Sequence, residues 1–460
     1  MARTPAVRAL YLGAYAAAAV AATPSAASAQ SRQGYDRVGY ADGGIAAAIK
    51  DVGGPREIRD VYAARGYRPI WVRNGAIGPE AETLVRLIET ARLDGLDPGD
   101  YKPRALISAI ERAAESGSPK ALAKAELMLS RSFATLARDM RRPRDVGLLW
   151  ADAELRPSAP TTREMLQRLA AAPSAAAHLG AMGWMHPEYA RLRRAAAAGL
   201  HSADDRALDL VSVNLDRARL LPAADAPGRY VLVDAAAARL WMYENGRVAG
   251  TMRVVVGKPE EPTPMMAGLI RYANVNPYWN LPPDLVRLRV APGALEKGQA
   301  FLKAKRFEVL SGWEPNARVV NASAIDWRAV LDGRTDARVR QLPGPNNAMG
   351  RIKFMFPNDK GVYLHDTPEK ALMREDDRLF SSGCVRVEDA PRLAKWLFGK
   401  PVSLKTATPE KRVDLAAPVP VYITYLTVAA EGQDMVFRPD VYRRDGVQLA
   451  GGDAERFASR

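Results

Sequence analysis

Cysteine is almost missing from this chain: one residue in 460 rules out an intramolecular disulfide and any sulfur-rich zinc site. Histidine is nearly as scarce, at four residues. Three of them, His178, His186 and His201, lack the spaced partners that metal ligation requires and read as structural or surface groups. Long hydrophobic runs are lacking too, because the apolar stretch from about Ala9 to Ala22 falls short of the roughly 20 residues that span a bilayer. Hydrophobic residues at 48% and charged residues at 26% exclude collagen, coiled coil and wholesale disorder. Without cross-links, stability has to come from packed cores, and this length allows roughly two or three domains.

Lys and Arg number 66 against 52 Asp and Glu, a net charge of +14 that stays clearly positive without Arg3 and Arg8. Such a balance favours an anionic partner. The basic residues are scattered, and the short groups Arg141, Arg142 and Arg144, or Arg443 and Arg444, read as solvated faces. No nucleic-acid recognition motif accompanies them, so no nucleic acid is expected as a partner. Residues 1–29 read as a secretory signal peptide: a basic start, an apolar core, and Ala27-Ser28-Ala29 as the small-x-small cleavage site. The expectation is a periplasmic protein with no transmembrane segment after cleavage.

Residues 30–44 read as a flexible leader. From there to 227 the periodicity is helical. Leu84, Leu87, Ile88 and Ala91 recur on one face before Gly95; Leu122, Leu129, Phe133, Leu136 and Met140 mark a longer helix ending before Pro143; Thr161 and Glu164 form a capping box; Leu208, Val211 and Leu215 mark a further helix. The 45–227 stretch is therefore read as a helical scaffold domain without chemistry of its own.

After Pro222–Gly228 the pattern alternates. Tyr230–Asp234 and Arg239–Tyr243 are strand-like, Asn245-Gly246 is a two-residue hairpin turn, and Val248–Val256 returns. Further strands are expected at Leu269–Val275, Arg351–Phe356, Val362–Leu364, Val385–Val387 and Pro401–Lys405, with a short helix at Pro391–Phe398. The domain reading is 228–407 for this β-rich unit, with a lid over about 293–345 that includes Trp313 and Trp327, and 408–460 as a C-terminal extension. No metal or organic cofactor is implied.

The lone Cys384 lies in Ser381-Ser382-Gly383-Cys384-Val385-Arg386-Val387, and the only histidine beyond residue 201 is His365, in Val362-Tyr363-Leu364-His365-Asp366-Thr367. A thiol becomes a nucleophile as its thiolate, so an imidazole that accepts its proton is the minimum equipment for acyl transfer. If 362–365 is extended, Tyr363 and His365 share one face, and the same parity puts Cys384 with Arg386. Gly383 frees the backbone to turn so that main-chain N–H groups face an oxyanion. The residues alone support a cysteine acyltransferase or peptidase; a small buried core cysteine is the plainer alternative.

The two motifs, 15 residues apart (366–380), resemble the signature of the L,D-transpeptidases with a YkuD-type catalytic domain. Val254–Pro264, Asn276-Pro277-Tyr278-Trp279-Asn280, Asn346–Phe356, Phe356-Pro357-Asn358, Asn214–Pro222 and Val419–Asp445 resemble the long periplasmic YcbB-type members. Ser382 stands where many members have histidine, and there is no room between Ala170 and Asn214 for a full peptidoglycan-binding module. The resemblance implies an α+β multidomain fold: a helical scaffold, then a β-rich YkuD-type catalytic domain carrying an inserted lid or capping subdomain.

The resemblance further implies peptidoglycan stem peptides as substrates, a tetrapeptide donor and a diamino-acid acceptor, with carbapenems as inhibitors. Cys384 would be the nucleophile and His365 the base. Gly383 and Cys384 N–H groups, with the Tyr363 hydroxyl, would form the oxyanion hole. Arg386 would meet a substrate carboxylate or serve a structural salt bridge, Ser382 would flank the nucleophile, and Asp366 would orient His365 through its backbone. The products would be 3→3 cross-links. A hydrolase resolving the same thioester with water and a catalytically silent wall-binding protein are the alternatives.

Overall fold

The structure, a computed structural model, describes residues 44–199, 204–314 and 316–449; the expected signal peptide, all but the last residue of the leader, and His201 lie outside the described residues. Helices fill the first part. The longest, Pro119–Arg141, starts at Ser118, whose hydroxyl accepts from the Ala121 N–H, and buries Leu122, Leu129, Phe133, Leu136 and Met140. Thr162–Ala171 carries both hydrogen bonds of the capping box between Thr161 and Glu164. Glu80–Glu89 runs into a short 3₁₀ turn that Gly95 ends at φ 67°. These helices share one core with Trp71, Tyr62, Trp184 and Tyr189.

The second part is built on strands β1 Leu149–Trp150, β2 Arg229–Asp234, β3 Arg239–Glu244, β4 Arg247–Gly257, β5 Met266–Val275, β6 Ile352–Met355, β7 Leu364–His365, β8 Leu379–Ser381, β9 Val385–Val387 and β10 Lys411–Thr424. Around the sheet the order is β6, β7, β9, β4, β3, β2, β10, β5, and β5 pairs again with β6, so eight strands close on themselves. β8 adds to β4 and β1 to β5. The β7–β9 and β10–β2 pairs are parallel. Asn245 and Gly246 take φ of 49° and 74° at the β3–β4 turn, the geometry that suits strand twist. The core face holds Val231, Val233, Val254, Val256, Phe354, Leu364 and Val385, all fully buried; each such side chain contributes roughly 1.5–3 kcal/mol.

Four segments differ from the sequence reading. The stretch read as a C-terminal extension supplies β10, seated between β2 and β5, because Val419, Val421 and Ile423 fill a gap that neither hairpin closes. Beyond β10, Leu426 and Val428 enter the helical core, and Arg217 of the helix Asp205–Ala218 is buried against Asp445 at 2.7 Å. The helical region in turn gives β1 to the sheet. Pro401–Lys405 is not a strand; Val402 and Leu404 pack on the core from irregular backbone, as expected of a run opened by a proline with no ladder N–H.

The inserted unit is wider than 293–345. It begins at the strand Trp279–Asn280, which pairs with Arg338–Gln341 beside Phe307–Leu310 and Val319–Val320. Leu281, Val286, Val290, Leu302, Val309, Trp327 and Val339 make its own small core.

Candidate active site

Register builds the site. Leu364 pairs with Val385 and His365 with Arg386 across β7 and β9, while the Val385 N–H donates to the Tyr363 carbonyl at 3.0 Å. Leu364 and Val385 face the core, which turns Tyr363, His365, Cys384 and Arg386 to the opposite face. These sequence-selected residues are thereby neighbours, though the two pairs lie 19 to 23 positions apart in the chain.

His365 is 1% exposed and its Nδ1 lies 2.6 Å from the Asp366 carbonyl. A carbonyl only accepts, so Nδ1 carries the proton and Nε2 is the free acceptor in the neutral ring. Burial, followed by the charge of Arg386, pulls the imidazole down to about 3. The Asp366 carboxylate is occupied elsewhere, accepting from the Arg351 N–H at 2.9 Å and Lys370 Nζ at 2.7 Å. Cys384 is partly buried and donates to the Gly361 carbonyl at 3.6 Å rather than to His365. Desolvation raises its thiol, opposed by a backbone hydrogen bond from Tyr363 and by Arg386 and Lys353. The Tyr363 hydroxyl is pushed up to about 12, first by burial and then by the charge of Cys384, so it remains a donor.

The loop before the thiol is held by Ser381, which the sequence reading quoted without a role. Its hydroxyl donates to the Cys384 carbonyl at 2.5 Å and accepts from the Gly383 N–H at 3.2 Å. That second bond corrects one expectation: in this conformation the Gly383 N–H points at Ser381 rather than at an oxyanion position. Gly383 sits at φ 99°, where a side chain would be strained. Ser382 accepts from Arg289 of the inserted unit at 2.8 Å, and Arg386 pairs with Glu369. Arg289 lies outside the expected lid range, which is why it was missed.

Two further features bear on ligands. Among the described residues no group of three or more His, Cys, Asp and Glu is placed to hold a metal, and no helix is long and apolar enough to cross a membrane. A cavity of about 1090 Å³ lies away from the thiol where Tyr101, Asp139, Arg144, Asp216 and Arg444 meet, and Arg144 and Asp216 there pair with each other at 3.1 Å.

Two stretches of the chain match known protein families. Residues 56–195 match the family model of a scaffold domain, and residues 228–421 that of the L,D-transpeptidase catalytic domain. The chain carries a YkuD-type L,D-transpeptidase catalytic domain. A Haemophilus influenzae protein with the provisional name of an L,D-transpeptidase is 30% identical over 242 residues, covering 51% of this chain and 48% of that protein. The chain thus spans about half the length of the relative it matches. Two solved structures are similar at a lower level. An L,D-transpeptidase from Mycobacterium smegmatis is 14% identical, with 43% of this chain and 59% of that chain covered and a TM-score of 0.23. An Enterococcus faecium L,D-transpeptidase variant is 15% identical, with 43% and 49% covered and a TM-score of 0.20. In this chain the L,D-transpeptidase domain contains β2 to β9 and ends inside β10, so its matched span includes both Cys384 and His365.

Proposed function

We propose that the protein is a peptidoglycan L,D-transpeptidase that forms 3→3 cross-links through a thioester on Cys384. The observation that carries this reading is the pairing of β7 with β9, which sets the only cysteine beside a buried, neutral histidine with a free Nε2 inside the matched domain. In the reaction the thiol leaves the Gly361 carbonyl and gives its proton to His365 Nε2. Sulfur then attacks the carbonyl carbon of the third stem residue. The amine of the terminal D-alanine departs with the proton from His365, leaving a thioester. An amino group on a neighbouring stem attacks that thioester, its proton passes to His365, and the thiolate is released and reprotonated.

The Tyr363 hydroxyl and the Cys384 N–H stabilise the tetrahedral oxyanion; loss of one such donor typically costs about 10²–10³ in rate. Arg386 reaches a substrate carboxylate by exchanging its exposed partner Glu369, whose side chain is 62% accessible. The signal peptide read over residues 1–29 supports a periplasmic location, and the positive net charge suits carboxylate-rich wall peptide. Incubation of the mature protein with disaccharide-tetrapeptide, with products read by mass spectrometry, tests the proposal. Dimers lacking one D-alanine are expected. Tripeptide without dimers would replace transfer by hydrolysis, and an unchanged product from Cys384→Ala would overturn the reading.

A further inference from the structure

Lys353 is a buried cation that the proposed reaction leaves unused. Lysine is seldom buried, because stripping water from its ammonium is costly, yet Lys353 is only 6% exposed. Register explains where it sits. Lys353 pairs with Asn274 on one side and His365 on the other, and His365 pairs with Arg386. One rung of the sheet therefore runs Asn274, Lys353, His365, Arg386, with strands roughly 4.8 Å apart. The histidine is flanked by an ammonium and a guanidinium on a single face. The neighbouring positions on that face belong to Tyr363 and Cys384, and Lys353 Nζ is 5.9 Å from the Tyr363 ring centroid.

The ammonium is fixed in place. It donates to Glu410 Oε1 at 2.9 Å and to the Tyr278 carbonyl at 3.4 Å. Glu410 in turn accepts from the Tyr278 N–H at 2.7 Å and from the Asn274 amide. Tyr278 immediately precedes the first strand of the inserted unit, so this cluster joins the site to the stem of that unit.

We propose that Lys353 is a positioning residue of this site: it holds a fixed positive charge next to His365 on the sheet face that also carries Cys384, and it ties the strand beside His365 to the stem of the inserted unit through Glu410 and Tyr278. The charged and titratable groups around the thiol and its histidine are His365 from β7 with Tyr363 and Asp366 flanking that strand, Arg386 from β9 with Glu369 against it, Lys353 from β6, Glu410 from the approach to β10, Tyr272 of β5 acting on Tyr363, and Arg289 of the inserted unit on Ser382. Of these, Arg386 and Lys353 both act to lower the thiol and the imidazole. Arg386 is paired with the exposed carboxylate of Glu369 and Lys353 with the less exposed one of Glu410, and the enclosed Lys353 pair is the less screened by salt.

The proposal rests on Cys384 being the nucleophile, but its test does not need the transpeptidase reaction. The chain has one cysteine, so the rate of alkylation by iodoacetamide reports Cys384 alone. Followed against pH, the folded Lys353→Met variant is expected to shift its half-maximal rate upward by about one pH unit, with alkylation near neutrality about tenfold slower, since a nearby opposite charge moves a pKa by roughly 1–3 units. Lys353→Arg is expected to restore the parent profile to within about twofold. A parent-like profile in Lys353→Met, or an arginine variant displaced as far as the methionine one, would overturn the proposal. If Lys353→Met loses its near-ultraviolet circular dichroism, Lys353→Gln is read in the same way, because its amide keeps a donor for Tyr278 and Glu410. Alkylation requires no peptide, so a failure here leaves cross-linking untouched, and a failure to cross-link leaves this profile readable.

Discussion

Two buried histidines sit in this molecule under similar electrostatic conditions. His186, at the start of the scaffold helix Pro187–Ala198, and His365, in β7, are both pulled to about 3 by loss of water. Their nitrogens differ. His186 accepts from the Glu188 N–H at 3.1 Å and meets the Tyr230 hydroxyl at 3.0 Å, so both sides of its ring are used. His365 spends Nδ1 on a carbonyl and keeps Nε2 open. The same contrast extends to carboxylates: Glu126 in the scaffold accepts from the Tyr62 hydroxyl and from the N–H groups of Ile70, Trp71 and Val72, and is saturated. Burial and a shifted pKa thus mark both regions, while an open valence beside a thiol marks only one.

The sharpest way to break that contrast is to remove the open group. His365→Ala should reduce product formation by about 10²–10⁴ and Cys384→Ala should reduce it to background, both measured by mass spectrometry of cross-linked products. Next in size is the closed cluster of the scaffold, where Asp94 is paired with Arg193 at 2.8 Å and accepts from the Tyr189 hydroxyl at 2.5 Å. Arg193→Met strands a buried carboxylate and should cost about 3–5 kcal/mol in chemical denaturation, with the alkylation rate of Cys384 unchanged under native conditions.

His186→Ala should cost less, about 1–3 kcal/mol, and its pH dependence has a definite sign. The folded ring stays neutral down to about 3, while the unfolded one protonates near 6.5, so the unfolded chain binds the extra proton across that window. The stability His186 contributes is complete above 6.5 and lost as pH falls toward 3; the gap between parent and variant in denaturation midpoints should narrow accordingly. The smallest effect expected is that of Arg289→Ala, which removes the contact from the inserted unit to Ser382 without touching either core. Turnover should fall about 2–10-fold through looser placement of the loop, with thermal stability unchanged; equal turnover would show that the contact does not position the thiol.

How legible this was in the sequence follows from the range of each interaction. Helical periodicity, the Thr161 capping box and the Asn245-Gly246 turn are local, and the structure places elements there within a few residues. The thiol and imidazole could be selected because each residue type was so scarce. β10 was hidden because its place between β2 and β5 depends on pairing across roughly 135 to 190 residues, which no local pattern encodes. Lys353 was hidden for the opposite reason: in Ile352-Lys353-Phe354 a polar residue between apolar ones reads as an outward solvated position, and only closure of β5 onto β6 buries it. Arg289 and Ser381 act through single hydrogen bonds that spacing does not announce.

The central claim is that Cys384 is acylated by a stem peptide. Intact-mass measurement of the mature protein mixed with disaccharide-tetrapeptide, without an acceptor amine, tests it most directly. The account predicts a mass increase equal to the donor less D-alanine, mapped to the peptide containing Cys384 and missing in Cys384→Ala. Cross-linked product formed by the Cys384→Ala variant, or an adduct on any other residue, would contradict it.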